Sequence, residues 1–111
     1  PVYTVTIPAN TTIERGEQSV KLGSVSLDNA RLEPDKNVNV SVSASGKLKN
    51  SKDESKTIAY KIMDGNKEFS TATYAESGNS TNLTLSIDKS EWDKAYAGSY
   101  SDTLVFTISY R

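Results

Sequence analysis

Carboxylates and aromatic side chains are the residue types that could carry chemistry in this chain, because it contains no cysteine and no histidine. The sequence therefore offers no thiolate nucleophile, no imidazole base and none of the usual zinc ligands. A pair of carboxylates can hydrolyse a glycosidic bond across a cleft, but no spacing along this sequence singles out such a pair. We expect no catalytic residue, no cofactor and no enzymatic activity.

Acidic residues recur near two predicted turns, at 64–68 and at 88–93, and these are the candidates for a calcium site. Calcium takes about six to eight oxygen ligands, and neither group has the spacing of a known calcium-binding loop. Turn and helix-cap chemistry accounts for both groups. The sequence therefore predicts no metal site.

Trp92, Tyr96 and Tyr74 are the aromatic residues that are candidates for ligand binding. One helical turn would bring Trp92 and Tyr96 to the same side, and an exposed aromatic ring can stack on the apolar face of a sugar. The competing interpretation is that Trp92 closes one end of the core beneath a connecting turn. The sequence leaves both interpretations open.

Asp102 interrupts the closing stretch AGSYSDTLVFTISY, in which every second residue from 104 to 110 is apolar or aromatic and is predicted to face the core. Before it, Gly98 and Tyr100 are placed as in a tyrosine corner, where the phenol hydroxyl binds backbone a few residues upstream. A buried carboxylate without partners is costly, so we expect Asp102 to be hydrogen-bonded. Gly98, Tyr100 and Asp102 are thus predicted to be structural. An isopeptide bond between Lys21 and Asp102 is the covalent alternative.

Length and charge narrow the class of protein. A chain of 111 residues, with 35% hydrophobic and 24% charged residues, has the size and composition of one folded domain, here 1–111. The net charge of −1 gives no general attraction to nucleic acid, and no apolar run is long enough to span a membrane. We expect neither nucleic-acid binding nor membrane insertion.

Period-2 alternation dominates the sequence, as in Val38, Val40 and Val42, and no long helical period is present. The pattern predicts about seven or eight short strands in an all-β, two-sheet antiparallel β-sandwich, with a small closed barrel as the alternative. One short helical turn is expected near residues 90–95, with Ser90 as its N-cap. A phase change at Gly23 predicts a bulge or bend, and the lysine-rich stretch 46–56 is predicted to be an exposed loop.

Three segments carry a resemblance to a known group of proteins: YTVTIPA at 3–9, LEPDKNVNVSVS at 32–43 and AGSYSDTLVFTISY at 97–110. In this order they resemble secreted surface-protein modules of Gram-positive bacteria that end in an AGxYxDTLxFTxSY signature. The resemblance implies an immunoglobulin-like β-sandwich and an extracellular location, secreted or associated with the cell wall. It implies no catalytic residues.

Three functions are compatible with these observations. The first is a non-enzymatic extracellular module, a structural spacer or an adhesion domain, whose partners are other domains of the same surface protein and, for adhesion, a host protein or glycan. The second is a carbohydrate-binding module that uses Trp92, Tyr96 and Tyr74. The third is a pilus-like subunit that exchanges a strand between copies, for which the sequence shows no obvious missing-strand gap.

Overall fold

Strands make up almost all the regular structure in the computed structural model, which describes residues 1–111. The strands are β1 (Val2–Thr6), β2 (Ser19–Arg31), β3 (Val38–Ser43), β4 (Lys47–Asn50), β5 (Thr57–Ala59), β6 (Lys61–Asp64), β7 (Lys67–Glu68), β8 (Thr71–Tyr74), β9 (Ser80–Ser86), β10 (Tyr100–Ser101) and β11 (Val105–Tyr110). The one helix, α1, spans Lys89–Asp93. No helix has the length and apolar character needed to cross a membrane. The predicted all-β fold with one helical turn is confirmed.

Three antiparallel sheets form a sandwich-like arrangement. One sheet has five strands in the order β1-β2-β9-β6-β7, and the other two have three strands each, in the orders β11-β3-β8 and β10-β4-β5. The two smaller sheets follow one another because β3 leads into β4 through residues 44–46, and β10 leads into β11 through residues 102–104. They therefore act as a single opposing layer that is interrupted in the middle.

Alternating side chains build one core between these layers. Valines at 38 and 40 of β3 are fully buried, as the sequence pattern predicts. Burial of a side chain of this size contributes about 1.5–3 kcal/mol. The buried hydrophobic residues form one cluster: Val20, Val25, Leu27, Val38, Val40, Leu48, Ile58, Tyr60, Ile62, Phe69, Tyr74, Leu83, Leu85 and Ile87.

The phase change at Gly23 is a bulge within one continuous strand. The pairing of β2 with β9 shifts register between Lys21 and Gly23, and Gly23 has φ +121°. Pro8 lies against the same glycine, with its Cβ 3.4 Å from the position that a side-chain Cβ would occupy. The bulge lets β2 present apolar side chains to the core on both sides of the irregularity.

The stretch 46–56 is not wholly an exposed loop, and this prediction is wrong for its first half. Lys47–Asn50 forms β4, which pairs with β5 on one side and β10 on the other. Leu48 and Asn50 are 7% and 5% exposed, whereas Lys47 and Lys49 alternate with them on the opposite face. The strand was missed because lysines occupy its outward positions and its inward positions are one leucine and one asparagine.

The helical turn begins earlier than the sequence indicated. Asp88 is the N-cap residue, with extended backbone and no side-chain capping hydrogen bond, and Ser90 lies inside α1. At this end of the molecule, α1 follows β9 and contacts β5, since the Ala59 backbone N–H donates to Glu91 Oε1 at 2.7 Å. This contact ties α1 to the interrupted layer.

The last strand, β11, has a neighbour on one side only. It pairs with β3 along its whole length, and no strand lies along its other edge. Ile108 is 41% exposed although its parity places it with the core-facing residues, so the predicted burial of this position is wrong. Position 108 is thus an inward position that remains uncovered along an unpaired edge.

The two edge strands β1 and β11 meet at one end of the sandwich. The rings of Tyr3 and Tyr110 stack there with centroids 6.0 Å apart, and the Tyr110 hydroxyl accepts from the Glu33 backbone N–H at 2.9 Å. The molecule measures 52 × 24 × 18 Å. Beyond the stacked tyrosines no strand bridges the two layers, which leaves an opening between the segment after β1 and the start of β11.

Cross-strand partners of unequal burial provide a test of this edge. Ile108 lies opposite Val40, which is fully buried. Val40→Ala should lower the free energy of unfolding by about 2–3 kcal/mol, whereas Ile108→Ala should cost less than about 1 kcal/mol although it removes a larger side chain. Urea denaturation measures both, and equal losses would contradict an uncovered β11 edge.

Candidate functional site

A cavity lined by both apolar and polar residues lies at the opening beside β11, and we call it the edge cavity. Its volume is about 960 Å³, within the range of about 300–1,000 Å³ that is typical of ligand sites. Its walls come from both layers, from α1 and from the segment that connects β1 to β2. The lining residues are Ile7, Pro8, Ala9, Asn10, Thr11, Thr12, Ile13, Arg15, Leu22, Leu48, Tyr60, Leu85, Trp92, Ala97, Gly98, Ser99, Tyr100, Ser101, Asp102, Thr103, Leu104 and Phe106.

The apolar wall of the edge cavity consists of side chains that face the core but are not fully covered. Leu22, Leu104 and Phe106 pack against the buried cluster while remaining partly exposed, and Ile13 does the same from the connecting segment. In a closed sandwich such positions would be buried by an adjacent strand. The cavity is thus an extension of the core that is open to solvent.

Asp102 lies at the far wall and is saturated with hydrogen bonds. Its carboxylate accepts from Tyr60 Oη at 2.5 Å, from Ser45 Oγ at 2.9 Å and from Lys49 Nζ at 3.3 Å. The side chain is 11% exposed, and that of Lys49 is 41% exposed. Asp102 therefore joins the junction between β10 and β11 to the segment between β3 and β4, to β4 itself and to Tyr60 between β5 and β6.

These contacts set the protonation of both partners. Burial alone would raise the pKa of Asp102, but the hydrogen bonds that it accepts outweigh burial and hold the pKa below its ordinary value. The pKa of Tyr60 is raised, first because the phenol is buried and second because it donates to the Asp102 carboxylate. At neutral pH the site holds an ionised carboxylate and a neutral phenol.

The site lacks the arrangement needed for acid–base catalysis by two carboxylates. Asp102 and Arg15 are the charged residues among those that line the edge cavity, so no second carboxylate faces Asp102. Lys21, the isopeptide candidate, is exposed on β2 opposite Thr84. The amine beside Asp102 belongs to Lys49, where it forms a salt bridge.

The corner before Asp102 is held by one hydroxyl and one buried amide. Tyr100 Oη donates to the Tyr96 carbonyl oxygen at 2.9 Å, which is the contact that a tyrosine corner requires. Asn50 Nδ2 donates to the Ala97 carbonyl at 3.2 Å, and Asn50 Oδ1 accepts from the Lys52 backbone N–H at 2.9 Å. One asparagine side chain therefore connects the corner to the loop after β4.

Gly98 is required at this corner for two reasons. Its φ of +125° is a conformation that residues with side chains rarely adopt. A Cβ at this position would also lie 2.9 Å from Asn50 Nδ2. Sequence reasoning identified Gly98 and Tyr100 but missed Asn50. The side chain of an asparagine at the start of a turn commonly accepts a hydrogen bond from the backbone N–H two residues later, and this is the signal that could have identified it.

The three candidate aromatic residues do not share a surface. Trp92 is partly buried, and its indole N–H donates to the Glu17 carbonyl at 2.6 Å. Tyr96 is 60% exposed, with Lys56 Nζ 4.6 Å from its ring centroid.

Tyr74 is 4% exposed within β8, and its hydroxyl hydrogen-bonds Thr81 Oγ1 at 2.7 Å. It therefore belongs to the core and cannot act as an exposed platform for a ligand, which corrects the sequence-based interpretation of this residue. Of the three candidates, Tyr96 alone presents most of its ring to solvent.

Two acidic residues of the 88–93 group considered for calcium form local salt bridges. Asp93 pairs with Lys89 at 3.1 Å, and Glu91 pairs with Lys94 at 3.0 Å. No group of three or more acidic, histidine or cysteine side chains is assembled that could hold a metal ion.

Comparison with known proteins gives no family assignment: the chain matches no protein-family model, no curated protein and no solved structure.

Replacing Gly98 tests the corner. Gly98→Ala should lower the free energy of unfolding by about 2–4 kcal/mol, because a left-handed backbone and a close contact with Asn50 act together. Gly78→Ala is the matched control, since Gly78 has φ +91° and nothing lies within 4 Å of the position that its Cβ would occupy. It should cost only about 1 kcal/mol. Equal losses in the free energy of unfolding would show that the contact with Asn50 does not contribute to the cost of Gly98→Ala.

Acid titration tests the Asp102 contacts. The folded pKa lies below the ordinary value of 3.8, so these contacts stabilise the fold fully above that value and the stabilisation is lost as the pH falls through the folded pKa. Asp102→Asn should cost about 2 kcal/mol at pH about 6, and its difference from wild type should shrink as the pH falls below about 4. Chemical denaturation at each pH measures this, with exposed Glu54→Gln as reference. A difference that does not change with pH would contradict the assignment.

Proposed function

We propose that this chain is a non-enzymatic extracellular module of a bacterial cell-surface or secreted protein, and that it acts as an adhesion domain. The observation that carries the proposal is the position of the edge strands. Tyr3 of β1 stacks on Tyr110 of β11 at one end of the molecule, so any tether continuing from either strand leaves from that end. The opposite end then points away from the attachment.

The shape supports this arrangement. The Cα radius of gyration is 16.1 Å, against about 13 Å expected for a compact domain of this length. Strand β2 runs from Arg31 at the Tyr3 end to Ser19 at the α1 end, a distance of about 40 Å. A spacer within a linear string would instead need its connections at opposite ends. The geometry therefore favours adhesion over a structural spacer.

The distal end, defined by α1 and the loop 51–56, carries groups suited to contact with a host protein or glycan. Tyr96 is largely exposed there beside Lys56. Lys94 is 70% exposed at its side chain. Exposed tyrosines are common anchors in protein interfaces, whereas lysines more often lie at the polar rim. Partners at the proximal end would be other domains of the same surface protein.

Carbohydrate binding is the second candidate, and the exposed ring of Tyr96 favours it. Trp92 contributes less, because its indole N–H is already bonded to Glu17 and the Arg15 guanidinium lies 5.9 Å from its ring centroid. A single open ring gives weak stacking on a sugar. The saccharide would therefore contact Tyr96 and Lys56 rather than a row of aromatic residues.

Binding measurements on the two ends test the adhesion proposal. The domain, attached to beads through the Tyr3 end, would be presented to immobilised extracellular-matrix proteins and to a glycan array. Tyr96→Ala should reduce retention at least about fivefold, because it removes the exposed anchor. Lys36→Ala, on the exposed turn after β2, is the matched control at the proximal end and should leave retention unchanged.

Three outcomes count against the proposal. Binding that is lost with Lys36→Ala but not with Tyr96→Ala would place the contact surface at the proximal end and not at the distal end. No retention on any matrix protein or glycan would remove adhesion and leave the spacer. Hydrolysis of a glycoside or peptide substrate by the purified domain, abolished by Asp102→Asn, would contradict the non-enzymatic assignment.

A further inference from the structure

The edge cavity opens beside the first part of the unpaired β11 edge, and the two together form a groove. Leu104, just before β11, and Phe106 pack against the core and line the cavity, whereas Ile108 lies outside the cavity lining, has the same parity and is 41% exposed. Facing them across the groove are Leu22 of β2 and Ile13 of the connecting segment. The groove therefore offers apolar walls on two sides and a row of free backbone N–H and C=O groups on a third.

This edge has none of the features that normally prevent strand addition. Folded proteins protect edge strands with charged residues, proline or bulges. Residues 103–110 contain no charged residue and no proline. The far edge of the five-stranded sheet is different, since β7 consists of Lys67 and Glu68. Protection is thus present at β7 and absent at β11.

We propose that this groove binds the β1 segment, Val2 to Ile7, of a second copy of the chain. The segment would pair with β11 and insert alternate side chains between the layers. This inference goes beyond the proposed adhesion function and does not depend on an extracellular location.

Area decides between insertion and simple edge pairing. An extended six-residue segment is about 20 Å long. Pairing along the β11 edge alone would bury roughly 400 Å² in total, well below the 1,200 Å² or so of specific interfaces. A segment that also contacts the apolar walls would bury more surface and come closer to that range. Insertion into the groove is therefore favoured over pairing with the edge alone.

Charge and burial identify β1 as the segment of the second copy. Residues 1–13 contain no charged side chain. An uncharged segment suits this groove, because the two charged residues that line it already have partners within the chain. Of these, Asp102 is compensated by Lys49, and the Arg15 guanidinium donates to the Ala95 carbonyl. No residue of β1 is fully buried, and β1 pairs with β2 only. Central strands such as β3 and β9 contain fully buried residues and could not be released at similar cost.

The side chains of β1 fit the requirement for alternation. Tyr3, Val5 and Ile7 lie on one face, separated by threonines on the other. Ile7 is 44% exposed in the isolated chain, so insertion of this face would bury apolar surface that now contacts water. The backbone hydrogen bonds lost from β2 would be regained along β11.

A peptide titration tests the groove directly. Trp92 is the one tryptophan and lines the cavity, so its emission reports occupancy. The probe is a synthetic peptide of residues 1–9, added to the full chain at a concentration at which it sediments as a monomer. We expect saturable binding, weakened at least about tenfold by Val5→Asp in the peptide, because a charge would enter an apolar site. Absence of binding, or equal binding of the two peptides, would overturn the proposal.

Cross-linking tests the second copy. The chain contains no cysteine, so engineered thiols report contacts without background. Thr4→Cys and Thr107→Cys chains, each at the centre of its strand, should form a mixed disulfide when mixed in equal amounts. Lys67→Cys on β7 is the matched control and should not cross-link to Thr4→Cys. A Thr107→Cys homodimer as the main product would indicate symmetric edge pairing of β11 and would overturn insertion of β1.

Discussion

The carboxylate of Asp102 holds together segments that strand pairing alone would leave apart. It accepts hydrogen bonds from Tyr60, Ser45 and Lys49, which belong to three different parts of the chain. Asp102 lies in the interruption between β10 and β11, where the second layer divides into two short sheets. It also lines the edge cavity. One acidic side chain therefore connects the two short sheets at the point where the strand pairing stops.

The same hydrogen bonds set the ionisation states of Asp102 and Tyr60. A general acid near neutral pH needs a carboxyl group with a raised pKa, and a catalytic phenol needs a lowered one. Here the pKa of Asp102 is held down and that of Tyr60 is raised. The pair is therefore most stable in the ionisation states that each residue already has in neutral solution. No buried side-chain polar atom is left without a partner, so the polar groups serve to fix the backbone.

Sequence patterns predicted the fold correctly where a strand has neighbours on both sides and a second layer against it, because there the inward and outward residues must alternate. Val38 and Val40 on the central strand β3 face the core as their spacing predicts, and the phase change at Gly23 indicated the bulge. Prediction failed where tertiary contacts override local pattern. Asn50 is buried because its amide replaces backbone partners at the corner, and Ile108 is exposed because no strand covers it. The edge cavity was inaccessible to sequence reasoning, because it depends on the relative position of β11 and the β1–β2 connection, which lie far apart in sequence.

The stacking of Tyr3 on Tyr110 has a mechanical consequence. A pulling force applied between β1 and β11 would act from one end of the sandwich and across the strands. It would open the hydrogen bonds of β1 with β2, or of β11 with β3, one pair after another. Strands pulled from opposite ends resist as a group, because all their hydrogen bonds are sheared together. This fold should therefore yield at low force when pulled through its first and last strands.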